Sequence, residues 1–378
     1  MKTLLKSFLM FFIAYSFGFS QIKPDESNVE YAVIDTSHLL LDIYLPKGVQ
    51  KPYPTVVWIH GGAWMAGDKD GVGCIYILNI GFAVVSINYR LSQEAIFPAQ
   101  IWDCKGAVRW VRANAMKYGF NPDRIGAAGS SAGGHLVALL GTSIGVQNLE
   151  GDIGGNTEYS SDVQAVADFY GPSNFLTIAN YPSNLDHDAP DSPESKLIGY
   201  PILDSIERAK AASPIFYVDG DEPPFLILHG TKDMTVPFHQ SVELDSALRL
   251  LGQDVKFFPI EGAGHGGSGF GADSTRNKVI EFFERTLKGT TSVEENNKTH
   301  FGVYIYPNPS TNYIEINVGV QNFEPLQDIK IYNTIGECVM DVETGLRPVS
   351  TIRIDISKFA PGVYFVHFNN ETRMFVKE

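Results

Sequence analysis

Ile125-Gly-Ala-Ala-Gly-Ser-Ser-Ala-Gly-Gly134 is the stretch on which the reading of this chain turns. Within it, Gly129-Ser130-Ser131-Ala132-Gly133 fits the pattern G-x-S-x-G centred on Ser131. A strand over 124–129 runs into these small residues and a helix over 132–140 leaves them. The backbone can then turn sharply and force the serine out at the tip with its hydroxyl exposed. The unpaired N–H groups and positive dipole end of the helix favour the negative charge that an attacked ester carbonyl develops. Ser131 is therefore the candidate nucleophile, and Ser130 beside it supports the turn. A small-residue turn without chemistry would read the same way over so few residues, so the rest of the chain decides.

A serine nucleophile needs a base, and the base needs an acid to hold its tautomer and stabilise the imidazolium. Two further stretches supply them in the order Ser, Asp, His. Asp233 lies just past a predicted strand in His229-Gly-Thr-Lys-Asp233, and His265 lies past the next in Glu261-Gly-Ala-Gly-His265-Gly-Gly. Glycines around His265 let an imidazole swing toward the serine. Upstream, His60-Gly61-Gly62-Ala63-Trp64 follows another predicted strand. The backbone N–H groups of Gly61 and Gly62, with that of Ala132, make an oxyanion hole. His60 braces this loop, and Trp64 is either a wall of the substrate pocket or ordinary core.

These loops sit in an alternation of strands and helices. Val29–Asp35 and Leu39–Leu45 form a hairpin, and Thr55–Ile59 and Phe82–Asn88 read as buried strands. Helical spacing covers 100–115, 240–251 and 277–287, and further strands cover 163–170, 224–229 and 255–260. The pattern predicts an α/β protein with a mostly parallel central sheet, helices on both faces, and ligands at the carboxyl ends of the strands. Between Ser173 and Glu222 the periodicity fails at Pro182, Pro190, Pro193, Pro201 and Pro214, which reads as an irregular lid or cap-like insertion.

The chain has 378 residues, long enough for two domains with cores of their own, and 44% hydrophobic content places it among globular proteins. A formal charge of −14 argues against nucleic acid and against anionic membrane surfaces. Residues 1–20 read as a signal peptide: Lys2 and Lys6, an apolar run over 7–17, then small residues. An N-terminal membrane anchor is the alternative, but the run is short of the ~20 residues a spanning helix needs. No later segment is apolar enough to insert, so the mature protein is expected to be soluble after export. Cys74, Cys104 and Cys338 have no metal or disulfide-framework spacing and allow at most one bridge. The catalytic domain is placed at 21–289 and a polar linker at 290–301. Period-two strands over 313–318, 329–332, 351–356 and 363–368 then make a small all-β sandwich at 302–378.

Other clusters are weaker. Asp186-His187-Asp188 looks like a metal site, but it lacks a helical or hairpin frame and is expected to be a solvated loop. Asp103 is expected to pair with a basic group such as Arg90, and Glu261 to lie on the surface or serve the structure. No Walker-type loop, GxGxxG or HExxH is present, so neither nucleotide nor zinc is implied.

With these motifs assembled, residues 29–288 resemble the α/β-hydrolase superfamily. The closer likeness is to the bifunctional feruloyl and acetylxylan esterases, beside the hormone-sensitive-lipase-like group. Asn88-Tyr-Arg-Leu91, Asn121-Pro-Asp-Arg124, Ser195-Lys-Leu-Ile-Gly199 and Ala212-Ser-Pro214 add to it, while the usual His-Gly-Gly-Gly reads His-Gly-Gly-Ala here. The tail is similar to the type A C-terminal sorting domain of the type IX secretion system. Tyr306-Pro-Asn-Pro-Ser310, Ile331-Tyr-Asn-Thr-Ile-Gly336, Pro361-Gly-Val-Tyr364 and Met374-Phe-Val-Lys377 carry that likeness. A carbohydrate-binding β module is the alternative for the tail.

Together these resemblances imply a secreted or cell-surface serine esterase, passed through the secretion machinery by its C-terminal domain. It would need no metal or organic cofactor, and acetyl or feruloyl esters on plant polysaccharide would be its substrates. A general short-chain carboxylesterase is the nearest alternative. A non-catalytic glycan-binding surface protein on the same fold is the other.

Overall fold

The computed structural model describes residues 22–288, 303–306, 310–318, 329–333, 337–342, 351–368 and 371–377. The expected signal peptide and the whole of the expected linker lie outside them. The chain divides into two compact units, Met1–Thr291 and Ser292–Glu378.

The first unit is built on an eight-stranded sheet. Its strands are β1 (Glu26–Ile34), β2 (Ser37–Tyr44), β3 (Tyr53–Ile59), β4 (Ala83–Ile87), β5 (Phe120–Ser130), β6 (Ala165–Phe169), β7 (Phe225–Gly230) and β8 (Val255–Ile260). They lie in the order β1-β2-β4-β3-β5-β6-β7-β8. β2 is antiparallel to both neighbours, and every pairing from β4 through β8 is parallel. A parallel sheet is covered on both faces, and β3 shows why its strands read as continuous apolar runs. Val57 and Ile59 enter one core, while Val56 and Trp58 point into the other. Helices α1 (Ala99–Ala113), α2 (Ala132–Thr142) and α3 (His239–Leu250) cover the first face, and α4 (Asp273–Phe283) covers the second. The strand order reverses at β3, with β4 on one side and β5 on the other. The crevice beyond the carboxyl ends of β3 and β5 is where such a sheet places its ligand.

The cap-like insertion is irregular as expected, but its prolines also start structure. Pro193 opens a short helix, Pro193–Ile198, whose first turn is capped by Ser192 Oγ accepting the Ser195 N–H at 3.1 Å. A second short helix covers Ile206–Ala211. The closing helix begins at Asp273, earlier than the apolar spacing suggested, and ends in a π-turn over Glu284–Lys288.

Among the described residues the second unit holds seven strands, β9 (Val303–Tyr306), β10 (Tyr313–Val318), β11 (Ile329–Asn333), β12 (Cys338–Val342), β13 (Thr351–Asp355), β14 (Gly362–Phe368) and β15 (Glu371–Lys377). They pair antiparallel as two sheets, β13-β10-β9 and β12-β11-β14-β15. Ile314, Ile316 and Ile354 from one sheet meet Ile329, Ile331, Val366 and Phe375 from the other in one core.

Candidate active site

Ser131 lies between β5 and α2 with φ 56° and ψ −120°. A side chain in this region is strained, and the strain is held by backbone bonds on both sides. The Ser131 N–H donates to Phe169 O at 2.8 Å, and Ser131 O accepts the His135 N–H at 2.9 Å. The turn also needs Gly133, because a Cβ there would run into the carbonyl oxygens of Ile59 and His60. Gly133→Ala is therefore expected to cost about 3 kcal/mol, read as a lower denaturant midpoint at unchanged slope.

His265 Nε2 lies 2.9 Å from Ser131 Oγ, and its Nδ1 lies 2.7 Å from Asp233 Oδ2. The three residues follow the ends of three strands, β5, β7 and β8, and converge because those strands run parallel in one sheet, with only β6 between β5 and β7. Asp233 is buried, and its Oδ1 accepts the N–H groups of Thr235 at 2.8 Å and Val236 at 3.0 Å. Its Oδ2 also lies 3.3 Å from Nε2 of His229, a fully buried side chain. Burial alone would raise this carboxyl, but the hydrogen bonds and charges of His229 and His265 outweigh it. They hold Asp233 well below the usual carboxylate range.

Sequence reading treated His229 only as part of the strand that delivers Asp233. Its Nε2–H is shared between Val236 O, at 2.9 Å, and Asp233 Oδ2, so it tethers the acid to its own loop. Tyr170 was also missed. It packs edge-on to His265 at 4.7 Å and to Phe270 at 4.6 Å, and burial pushes its phenol up to about 12.

The loop after β3 passes beside the serine. A Cβ on Gly61 would lie 3.3 Å from Ser131 Cβ and 2.7 Å from Ser130 O. Gly62, Ala63 and Trp64 take φ of 113°, 55° and 56°, and Gly62 O accepts the N–H groups of Met65 and Ala66, both at 3.0 Å. Among the described residues the N–H groups of Gly61 and Gly62 have no acceptor. Ala132 opens α2, where the first N–H groups have no partner within the helix. Ala63 keeps the path of the loop at a strain of about 1 kcal/mol that glycine would avoid. His60 braces the loop: its ring stacks on Tyr89 at 4.5 Å, and Nδ1 lies 2.7 Å from Gly61 O.

Of the two readings of Trp64, the structure favours core over pocket wall. The side chain is 2% exposed, and its indole N–H donates to His135 Nδ1 at 3.2 Å. His135 in turn reaches the cap, with Nε2 2.6 Å from Ala212 O. Arg90 and Asp103 pair as expected, with Nη2 to Oδ1 at 2.7 Å, and Glu261 is exposed. Cys74, Cys104 and Cys338 are unpaired. The expectation of a solvated loop at Asp186-His187-Asp188 needs correction, because His187 is buried beside Glu194. Among the described residues, no group of three or more His, Cys, Asp or Glu could hold a metal ion.

Asp168, near the end of β6, is buried and carries a prediction of its own. Its Oδ1 accepts the Gly171 N–H at 2.8 Å, and Oδ2 has no partner among the described residues. Burial pushes this carboxyl up to about 7. The folded chain therefore keeps a proton that the unfolded chain releases at the ordinary carboxylate value. The stability this contributes is full below that value and is lost as pH rises through about 7. The thermal midpoint should be higher at mildly acidic than at mildly alkaline pH, and Asp168→Asn should flatten that difference.

The sheet order, the turn after β5 and the loops after β3, β7 and β8 define an α/β-hydrolase. More narrowly, residues 41–248 match the model of the BD-FAE family, and the chain belongs to that family. Residues 304–378 match the secretion system C-terminal sorting domain, which marks the chain for export as a secreted or surface protein. Among the described residues no helix is long and apolar enough to cross a membrane.

The first unit is similar to a truncated carbohydrate esterase from gut microbiota, at 37% identity and a TM-score of 0.65, covering 70% of this chain and 96% of that one. It is also similar to a bifunctional GH43-CE protein of Bacteroides eggerthii, at 38% identity and a TM-score of 0.65, covering 69% of this chain and 35% of that one. Esterase LipC of Mycobacterium tuberculosis is 32% identical over 245 residues, 60% of this chain and 56% of that protein. The chain spans about half the length of the curated relatives it matches.

Proposed function

We propose that this protein is an exported serine esterase that removes acetyl or feruloyl groups from plant polysaccharide. The observation that carries the reading is the chain of contacts from Ser131 Oγ through the His265 ring to the Asp233 carboxylate. Ser131 Oγ attacks the ester carbonyl carbon while its proton passes to His265 Nε2. The N–H groups of Gly61, Gly62 and Ala132 receive the oxyanion. His265 then gives the proton to the leaving alcohol oxygen, and the C–O bond breaks to leave an acyl-serine. Water, deprotonated by His265, attacks the acyl carbon, and the acid departs as Ser131 regains its proton. Asp233 holds the Nδ1–H tautomer throughout, and no metal or organic cofactor enters a step.

The substrate class is supported by membership of the BD-FAE family, by the two carbohydrate esterase neighbours, and by the sorting domain, which brings an exported enzyme to polymers outside the cell. The C-terminal unit would make the secretion machinery its second partner. A short-chain carboxylesterase is the second reading, favoured by the similarity to Esterase LipC. Release of acetate from acetylated xylan and hydrolysis of methyl ferulate, each compared with p-nitrophenyl acetate, test the choice. The polysaccharide reading expects turnover of at least one of the first two. Turnover of p-nitrophenyl acetate alone would favour the short-chain reading.

A further inference from the structure

The buried His187 leads to a second hydrogen-bonded chain. His187 is 1% exposed and Glu194 2% exposed. His187 Nδ1 lies 3.1 Å from Glu194 Oε1, and its Nε2 lies 3.0 Å from Ser183 Oγ. The grouping Ser183, His187, Glu194 repeats the chemistry of a hydrolytic triad, but Ser183 is not placed to attack. Its Oγ lies 3.1 Å from Met234 O and 3.4 Å from Thr235 O, and it accepts the Leu185 N–H at 3.1 Å. The hydroxyl is occupied by the very loop that follows Asp233.

We infer that Glu194, His187 and Ser183 form a clasp fixing the Asp233 loop, which makes His187 a positioning residue for the catalytic acid. The inference rests on the esterase reading of Ser131, His265 and Asp233. The coupling is direct at Thr235, whose N–H holds Asp233 Oδ1 at 2.8 Å and whose carbonyl faces Ser183 Oγ. The Asn184 N–H adds a bond to Met234 O at 2.6 Å, and Tyr181 stacks on His239 at 3.8 Å, so the cap segment meets the loop at several points. Glu194 Oε2 has no partner among the described residues. A buried carboxylate with one oxygen unbonded is costly, and this one is retained where it orients the imidazole that holds Ser183. An acid presented on a loop has to be fixed to a fraction of an ångström, and here the cap supplies what the strand end cannot.

The test uses the full chain, its Ser183→Ala and Ser183→Thr variants and, alongside them, His187→Gln. Two readings are taken, p-nitrophenyl acetate kinetics and the far-downfield proton resonance of the His265 Nδ1–H bonded to Asp233. Ser183→Ala is expected to lower kcat about tenfold with KM unchanged within about twofold, and to weaken or shift that resonance. Ser183→Thr, which keeps the hydroxyl, should restore both, and His187→Gln should follow Ser183→Ala. A lower melting temperature in Ser183→Ala with kcat and the resonance unmoved would overturn the clasp. If the wild type hydrolyses no ester but the resonance moves in Ser183→Ala, the clasp stands and the esterase reading falls.

Discussion

Ser131→Ala is expected to lower kcat toward p-nitrophenyl acetate by about 10⁶-fold in a protein that remains folded. The size follows from what the variant loses. Without Oγ there is no acyl intermediate, and His265 keeps its place but has no proton to take. The N–H groups of Gly61, Gly62 and Ala132 remain, so a residual rate above that of water alone is expected. Folding should survive, because the bonds that hold the turn come from the backbone of residue 131, to Phe169 O and from the His135 N–H. Alanine at a φ of 56° keeps the same strained conformation that serine has. The measurement is steady-state kinetics beside circular dichroism of both proteins.

Asp233→Asn is the second large effect, with kcat expected to fall about 10⁴-fold while the fold persists. The carboxylate Oδ2 accepts from both His265 and His229. Asparagine can keep a carbonyl oxygen on the Thr235 and Val236 N–H groups, as Oδ1 does now. Its NH₂ would then face two imidazoles. His265 would have to accept at Nδ1 and carry its proton on Nε2, pointing at Ser131 Oγ with no lone pair to take the serine proton. KM should change little, because Asp233 touches His265 and its own loop rather than the ester. A fall in KM of the same size as the fall in kcat would contradict this assignment.

The site was legible in sequence where glycine-containing loops follow continuous apolar runs. Thr55–Ile59 into His60-Gly-Gly, and Phe225–Leu228 into His229-Gly-Thr-Lys-Asp, each announce a buried strand end that turns at once. Parallel pairing then carries Ser131, Asp233 and His265 to one edge, which fold class alone predicts.

Three kinds of information were not legible. The roles of His229 and His187 depend on contacts that composition cannot show: one shares its proton within the acid loop, and the other reaches that loop through a serine 51 residues before Met234. The indole of Trp64 faces inward because its backbone takes a φ of 56°, which a His-Gly-Gly-Ala-Trp string does not reveal. In the second unit, strands β10, β11, β13 and β14 had clean alternation. β12 sets only Met340 and Val342, both half-buried, against the core and leaves Val339 exposed, so its apolar residues fall on both faces and blur the period-two signal.

The central claim is that Ser131 is the nucleophile, and covalent labelling tests it most directly. The folded full chain is reacted with diethyl p-nitrophenyl phosphate, weighed intact, digested and mapped by mass spectrometry. The account predicts a single diethylphosphoryl group on Ser131, loss of esterase activity in step with labelling, and no adduct in Ser131→Ala. An adduct on Ser130 or on another residue in the active protein, or full activity retained in Ser131→Ala, would contradict it.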